Sequence, residues 1–166
     1  MISGVKVQLR KAFIQTLTQL AEKDPKIILI IGDVGFSFLE DYIKRFPNQF
    51  LNPGVLEQSL MSIAAGMARE GWKPYVYTMS NFILLRPIEQ VRNDIAYGEA
   101  DVKLFGVKGG ASYKFLGYSH NLAEGEEKGM LKFLPNLTSH FPKTEAKLVE
   151  AMEAEYLRKG ASYFSI

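Results

Sequence analysis

The sequence predicts an α/β protein whose doubly wound, mostly parallel sheet is flanked by helices. The run Ile27–Ile31 is apolar at every position, as in a central parallel strand that is covered on both faces. Segments with helical and strand periodicity alternate along the chain, which favours crossover connections between parallel strands. The 166 residues contain no repeat or linker long enough to separate domains, so residues 1–166 are expected to form a single domain.

Periodicity and turn residues define each element in turn. The first helix, over 8–23, has apolar residues at helical spacing and is stopped by Asp24-Pro25. The strand 27–31 runs into a turn over 32–37, at the carboxyl edge of the sheet, where open α/β folds bind ligands. The later elements are a helix over about 37–46, an extended piece over 49–52, a helix that starts near Glu57, a strand over 75–78, a helix over about 86–97, a strand over 102–107 that enters the turn at Gly109 and Gly110, a helix over about 143–158 and a strand over 161–166.

Composition excludes several classes of function. The 20 basic and 18 acidic residues are spread along the chain and leave a net charge of +2, so there is no basic stripe for nucleic acid. Without cysteine there is no disulfide or thiolate chemistry, and two histidines are too few for a histidine-rich metal site. We expect a cytoplasmic protein, since the N-terminus lacks a signal-peptide core and no apolar run approaches the roughly 20 residues that span a bilayer.

One carboxylate, Glu57, stands at a loop-to-helix junction after the turn Pro53-Gly54. The helix that follows is rich in small and apolar residues, and Gly66 within it is expected to let another backbone approach closely. Two interpretations of Glu57 are open. It is either an ordinary first-turn acid that complements the helix dipole, or a buried acid aimed into a site.

Three motifs, in this order along the chain, resemble the pyrimidine-binding domain of the transketolase-like thiamine diphosphate enzymes. They are the stretch from Asn52 to Ala68, with Asn-x-Gly-x-x-Glu-Gln before an Ala-Ala-Gly helix; the stretch from Asn81 to Asp94, with an aromatic residue and Arg-x-x-x-Gln-x-Arg; and the turn Gly117-Tyr-Ser-His-Asn121. The resemblance covers nearly the whole chain. It implies the thiamine diphosphate-binding fold of the pyrimidine-domain type.

The resemblance assigns Glu57 to N1′ of the cofactor's aminopyrimidine ring, where a carboxyl group drives tautomerisation and so activates the 4′-amino group. Phe82 would stack on that ring, or else only pack in the core. Tyr77 is a second aromatic candidate, although strand alternation can point it into the core. Asp33 resembles an acid on the thiazolium side of the cleft, and turn capping is its alternative role.

On the substrate side, the resemblance makes His120 a catalytic and substrate-binding residue, whereas a lone loop histidine is otherwise only solvated. Arg86 and Arg92 would bind an anionic substrate group or pair with acids of a neighbouring helix or subunit. Leu116 takes the place of an aspartate with which transketolases read a donor hydroxyl, and Tyr118 and Asn121 also depart from the pattern. The donor and the acceptor are therefore left open.

The family holds Mg²⁺ and the cofactor's diphosphate through a Gly-Asp-Gly motif on a separate domain, and this motif does not occur in the chain. We therefore expect no metal ligands here. The chain would be the pyrimidine-binding subunit of a split transketolase-like enzyme, sharing thiamine diphosphate with a separately encoded diphosphate-binding subunit that holds Mg²⁺. Alternatives are a subunit of a 2-oxo acid decarboxylase or dehydrogenase, and a non-catalytic partner-binding domain. Self-association and a heterotetramer are expected, because the Glu57 helix carries more apolar residues than one sheet face covers.

Overall fold

The computed structural model describes residues 4–35 and 38–166. Six strands form one sheet in the order β2-β1-β3-β4-β6-β5, and every pair of neighbours is parallel. This confirms the predicted fold class. The strands are β1 (Ile27–Ile31), β2 (Phe50–Leu51), β3 (Lys73–Met79), β4 (Lys103–Val107), β5 (Leu137–His140) and β6 (Ala161–Ser165).

Helices cover both faces of this sheet. They are α1 (Gly4–Ala21), α2 (Glu40–Arg45), α3 (Glu57–Arg69), α4 (Ser80–Leu84), α5 (Ile88–Gln90), which continues as a π-helical turn over Val91–Tyr97, α6 (Glu126–Leu131) and α7 (Glu145–Leu157). Short 3-10 segments span Pro47–Gln49 and Gly110–Ser119.

Two apolar cores lie on opposite faces of the sheet, and β1 contributes to both. Ile28 and Ile30 pack with residues of α3, α4 and the π-helical turn, whereas Leu29 packs with residues of α1 and α7. This alternation explains why the strand is apolar at every position.

Several predicted boundaries were wrong. The second helix begins at Glu40 and not near 37, and Ser37 lies outside the described residues. The strand predicted over 75–78 runs from Lys73 to Met79, and the helix predicted from Arg86 begins only at Ile88. Helices α4 and α6 and strand β5 were not predicted.

Candidate functional site at the carboxyl edge of the sheet

The ends of β1 and β3 leave a gap that the side chain of Glu57 enters. Gly32 directly follows β1. A Cβ on this residue would lie 3.3 Å from Thr78 Oγ1 and 3.8 Å from Glu57 Cγ. Glycine therefore keeps the strand ends open where the loop before α3 crosses the carboxyl edge of the sheet.

Glu57 is the first residue of α3, and its side chain is only 5% exposed. No side chain caps this helix terminus, because Leu56 stands at the capping position. The partial positive charge of the helix N-terminus stabilises a carboxylate there. Glu57 therefore fits both interpretations of its sequence position, because it is an acid in the first turn of a helix and it is also buried.

Arg86 neutralises this buried acid. Its Nη1 donates a hydrogen bond of 2.7 Å to Glu57 Oε1, and its guanidinium carbon lies 3.6 Å from the centroid of the Phe82 ring. The guanidinium is thus a planar N–H donor that is stacked on Phe82 while it bonds to Glu57. A planar aminopyrimidine ring could take the same place, with its face on Phe82 and its ring nitrogen accepting a hydrogen bond from a protonated Glu57 carboxyl group.

His120 also contacts Phe82. The two ring centroids are 5.1 Å apart in an edge-on arrangement, and Tyr113 stacks on the imidazole at 5.8 Å. The hydroxyl of Ser119 donates to the carbonyl of Leu116 at 2.7 Å and lies 2.7 Å from His120 Nδ1. Because a hydroxyl has one hydrogen, Nδ1–H must donate to Ser119, which leaves Nε2 to exchange a proton with a ligand.

The loop that carries His120 is held by amide side chains. Asn121 Nδ2 donates to the carbonyls of Tyr113 and Gly117 at 2.8 and 2.9 Å, and Asn81 Nδ2 donates to the carbonyl of Tyr118 at 3.1 Å. Asn121 therefore closes the loop on itself. The side chain of Tyr118 is 81% exposed.

Asp33 and Tyr77 line a neighbouring cleft of about 310 Å³, together with Arg10, Thr78 and Tyr113. Asp33 has a left-handed backbone with φ of 54°, and its Oδ1 accepts from Asn52 Nδ2 at 3.1 Å. Thr78 Oγ1 is buried and has no hydrogen-bond partner within the part of the chain that the structure describes.

Tyr77 belongs largely to the core, as strand alternation allowed. Its ring stacks on Phe13 at 5.3 Å with an interplanar angle of 8°. Burial raises the pKa of Tyr77 to about 12, although Arg10 opposes this rise. The phenol is therefore protonated at neutral pH, and it contributes an apolar wall and a hydroxyl donor to the cleft.

The structure thus brings four predicted residues into one chain of contacts, namely Glu57, Arg86, Phe82 and His120, and it places Asp33 and Tyr77 in the neighbouring cleft. Arg92 is not in contact with them, since it bonds to Asn93 Oδ1 at 2.7 Å and lies over the ring of Tyr97. Thr78 was missed as a candidate. The available signal was a hydroxyl residue near the carboxyl end of an otherwise apolar strand.

The family profile described as "Transketolase, pyrimidine binding domain" matches residues 5–166. The chain belongs to this family. It is 35% identical to an apulose-4-phosphate transketolase subunit of Phocaeicola vulgatus, a match that covers 91% of the chain and 50% of that protein. It is 25% identical to the 6-deoxy-6-sulfo-D-fructose transketolase subunit SqwH of a Clostridium species, over 95% of the chain and 49% of that protein.

Among solved structures, the chain is similar to one described as "Split gene transketolase, inactive beta4 tetramer", with a TM-score of 0.82 and 30% identity. This match covers 95% of the chain and 50% of that structure. The chain therefore spans about half the length of the relatives that it matches. In the described ranges 4–35 and 38–166, no helix is long and apolar enough to cross a membrane, and no group of three or more acidic or histidine side chains is arranged to hold a metal ion.

Proposed function

We propose that this chain is the pyrimidine-binding part of a split, thiamine diphosphate-dependent transketolase-like enzyme of carbohydrate metabolism. It would transfer a two-carbon unit from a ketose or 2-oxo donor to an aldehyde acceptor. The observation that carries the proposal is the pair of Glu57 and Phe82, which already hold a planar nitrogen donor between a buried carboxylate and an aromatic face.

The cofactor would supply the acidic carbon that makes and breaks the C–C bond. Glu57 would hold a proton at N1′ of the pyrimidine, and Phe82 would support the ring from one face. Arg86 would have to leave its place between them. Asp33, Tyr77 and Thr78 would line the rest of the cofactor cleft.

His120 would act on the substrate. Its Nε2 can donate to or accept from a substrate carbonyl or hydroxyl, because Nδ1 is committed to Ser119. Phe82 contacts both His120 and Arg86, and Arg86 bonds to Glu57, so we assign cofactor activation to Glu57 and substrate handling to His120.

A partner subunit would complete the site. The 166 residues contain no Gly-Asp-Gly motif. In this proposal a separately encoded subunit holds the diphosphate and Mg²⁺, and the location is cytoplasmic. The two relatives named as transketolase subunits and the split-gene structure support a divided enzyme.

The surface available for assembly differs from the expected one. Leu60, Met61 and Ala64 of α3 are fully buried in the core, so α3 exposes less apolar surface than predicted. No atom lies within 4 Å of a Cβ placed on Gly66, so the close backbone approach predicted there does not occur within the described part of the chain.

Exposed apolar residues instead surround the Glu57–Arg86 pair, and we call them the apolar rim: Val55, Leu56, Leu85 and Ile88. They lie on the two segments that this ion pair joins. Such a rim beside an active site suits an obligate interface. We propose that it is covered in a heterotetramer of two copies of each subunit.

Reconstitution tests the proposal. The chain would be combined with a candidate subunit that carries Gly-Asp-Gly, and two-carbon transfer would be measured with ketose phosphates and, in parallel, with 2-oxo acids. We expect transfer from a ketose only when both chains are present. The alternatives of a 2-oxo acid decarboxylase or dehydrogenase subunit and of a non-catalytic domain are not favoured by the relatives. Decarboxylation or oxidation of 2-oxo acids, with no two-carbon transfer to an aldehyde, would instead favour the decarboxylase or dehydrogenase subunit.

Calorimetry provides a second test. The isolated chain should not bind thiamine diphosphate and Mg²⁺ tightly, because the residues that hold the diphosphate are assigned to the partner. Submicromolar binding by the isolated chain would contradict the divided site.

A further inference from the structure

A second cavity, of about 470 Å³, opens beside the loop of His120 and is not used by the proposed mechanism. It lies between the ends of β3 and β4 and the start of α6. Gly109 forms part of its wall, where a Cβ would lie 2.5 Å from the carbonyl oxygen of His120 and 2.7 Å from Asn121 Oδ1. This cavity therefore adjoins the segment that places the proposed substrate-binding histidine.

A buried hydrogen-bond network underlies the cavity, and Glu127 is at its centre. Glu127 Oε1 accepts from the hydroxyl of Tyr163 at 2.7 Å and from that of Ser80 at 3.2 Å, while Oε2 is 2.9 Å from Lys108 Nζ. Burial and the charge of Glu127 raise the pKa of Tyr163 well above its usual value, which keeps this phenol a donor. Glu127 is thus held in one orientation, with one oxygen bound below and the other facing Lys108.

The strand β4 is adapted to this network. A Cβ on Gly106 would lie 2.2 Å from the hydroxyl oxygen of Tyr163 and 2.8 Å from Ser80 Oγ. Any side chain at position 106 would therefore displace the groups that fix Glu127. The network is a built feature of the fold, because it depends on a glycine in the middle of a buried strand.

The charges that line the cavity cancel. Lys108 and Lys128 contribute two cations, and Glu124 and Glu127 contribute two carboxylates. A phosphate group entering here would meet a carboxylate for every ammonium, so it would gain little. A hydroxyl group both donates and accepts hydrogen bonds, so it can accept from an ammonium and donate to the carboxylate beside it. The amides of Asn81 and Asn121 also line the cavity.

We propose that this cavity is a subsite for the uncharged, polyhydroxylated part of a sugar substrate, in which Lys108 donates to and Glu127 Oε2 accepts from substrate hydroxyls. The identification of the ligand as a sugar rests on the proposed function. The phosphate of a phosphorylated sugar lies outside this subsite. Lys108 and Glu127 are then specificity-determining residues that select hydroxyls over anions.

Nuclear magnetic resonance titration of the ¹⁵N-labelled 166-residue chain tests the subsite without a partner or cofactor. The two probes are ribitol, an uncharged polyol, and inorganic phosphate. Ribitol should shift the amide signals of Gly109, Gly110 and Gly125 with an apparent Kd of about 10 mM. Binding is expected to be weak because the ligand is small. Phosphate should shift the same signals at least about ten-fold more weakly.

Two variants separate charge balance from folding. Glu127→Gln keeps an oxygen for Tyr163 and Ser80 but removes the negative charge. Ribitol should then bind about ten-fold more weakly, and phosphate should become the better ligand. Lys108→Met should weaken ribitol binding to a similar extent, and it should not strengthen phosphate binding. Glu150→Gln is the matched control, because Glu150 forms an exposed 2.7 Å pair with Lys147 on α7 and should leave both titrations unchanged.

Tighter binding of phosphate than of ribitol by the unaltered chain would overturn the proposal. So would the absence of shifts at these three glycines, or a Glu127→Gln variant that retains the original preference. None of these outcomes depends on thiamine diphosphate. Failure of the subsite is therefore distinguishable from failure of the proposed enzyme activity, which reconstitution measures separately.

Discussion

Arg86 and Glu57 form an ion pair of 2.7 Å in which a carboxylate that is 5% exposed meets a guanidinium that is 42% exposed. The acid is fixed at the start of α3, whereas the cation lies in the connection between α4 and α5. A partly solvated cation can leave such a pair more easily than a buried one, because water replaces its partner. The pair therefore neutralises the buried carboxylate and still allows a ligand to displace the arginine.

Replacement of Arg86 by alanine should lower the free energy of unfolding of the isolated chain by about 1–2 kcal/mol, since it leaves a buried carboxylate unpaired. Urea denaturation measures this change. In a Glu57→Gln background the same replacement should cost less than about 0.5 kcal/mol, because no charge remains to be neutralised.

Arg92→Ala is the matched control for this experiment. Arg92 is exposed and contacts Asn93 and Tyr97, so its loss should change the unfolding free energy by no more than about 0.5 kcal/mol. Equal losses in the two Glu57 backgrounds would show that Arg86 acts through packing on Phe82 and not through the carboxylate.

His120→Ala should slow donor turnover by about 100-fold in the reconstituted enzyme and leave hydrogen–deuterium exchange at C2 of the cofactor within about two-fold. The reason is that His120 contacts Phe82 and Tyr113, whereas Glu57 pairs with Arg86. Ser119→Ala should have a smaller effect of the same kind, since it frees the imidazole without removing it. Equal losses in exchange and turnover would mean that His120 serves the cofactor.

Stability at acidic pH should depend on Glu155. Burial alone would raise its pKa, but hydrogen bonds from Arg158 and His140 and the charges of Arg158 and Lys103 outweigh burial and lower the pKa below 4.5. A carboxyl group whose pKa is lowered by folding stabilises the fold at pH values above its unfolded-state pKa. This stabilisation is lost as the pH falls through the folded-state pKa. The free energy of unfolding should therefore fall as the pH drops below about 5.

Glu155→Gln should lower the free energy of unfolding near pH 7 by about 3 kcal/mol and flatten this acid-side slope, as measured by urea denaturation at a series of pH values. Asp24 also has a lowered pKa, because hydrogen bonds from Lys73 and Lys26 outweigh its burial, so part of the slope should remain. Glu150→Gln, at an exposed pair, should leave the slope unaltered. An unchanged slope in Glu155→Gln would contradict this account of the cluster.

Assembly should depend on the apolar rim around the Glu57–Arg86 pair. Leu56→Asp places a charge on a residue that is 51% exposed, and it should weaken self-association and partner binding at least ten-fold, as measured by analytical ultracentrifugation. Leu157→Asp is the control. Leu157 is 81% exposed on α7, on the opposite face of the sheet, and its replacement should leave association unchanged. Equal weakening in both variants would show that the rim is not the interface.

The predictable part of the fold is the part in which local pattern and burial agree. The run Ile27–Ile31 is apolar throughout because both of its faces are covered, and it was predicted as β1 without error. β5 (Leu137–His140) is an edge strand with two exposed residues, so its sequence lacks the apolar signal. The strand over 75–78 was predicted to begin after Pro74, yet Pro74 is the second residue of β3 and pairs with Ile28.

The resemblance named Glu57, Phe82 and His120 as candidate site residues, but it did not predict how they contact one another. The pairing of Arg86 with Glu57 joins residues 29 positions apart, and periodicity within one element does not reveal it. Asn121, which departs from the family motif, proves to be the side chain that closes its own loop.

Hydrogen–deuterium exchange at C2 of thiamine diphosphate, in the reconstituted complex with Glu57→Gln, tests the central claim most directly. The amide keeps the size of the side chain and can still hydrogen-bond to the pyrimidine, but it cannot exchange a proton as an acid does. We predict exchange slowed by at least about 100-fold, with the fold and the cofactor affinity retained. An exchange rate equal to that of the unaltered complex would remove Glu57 from the mechanism and contradict the account.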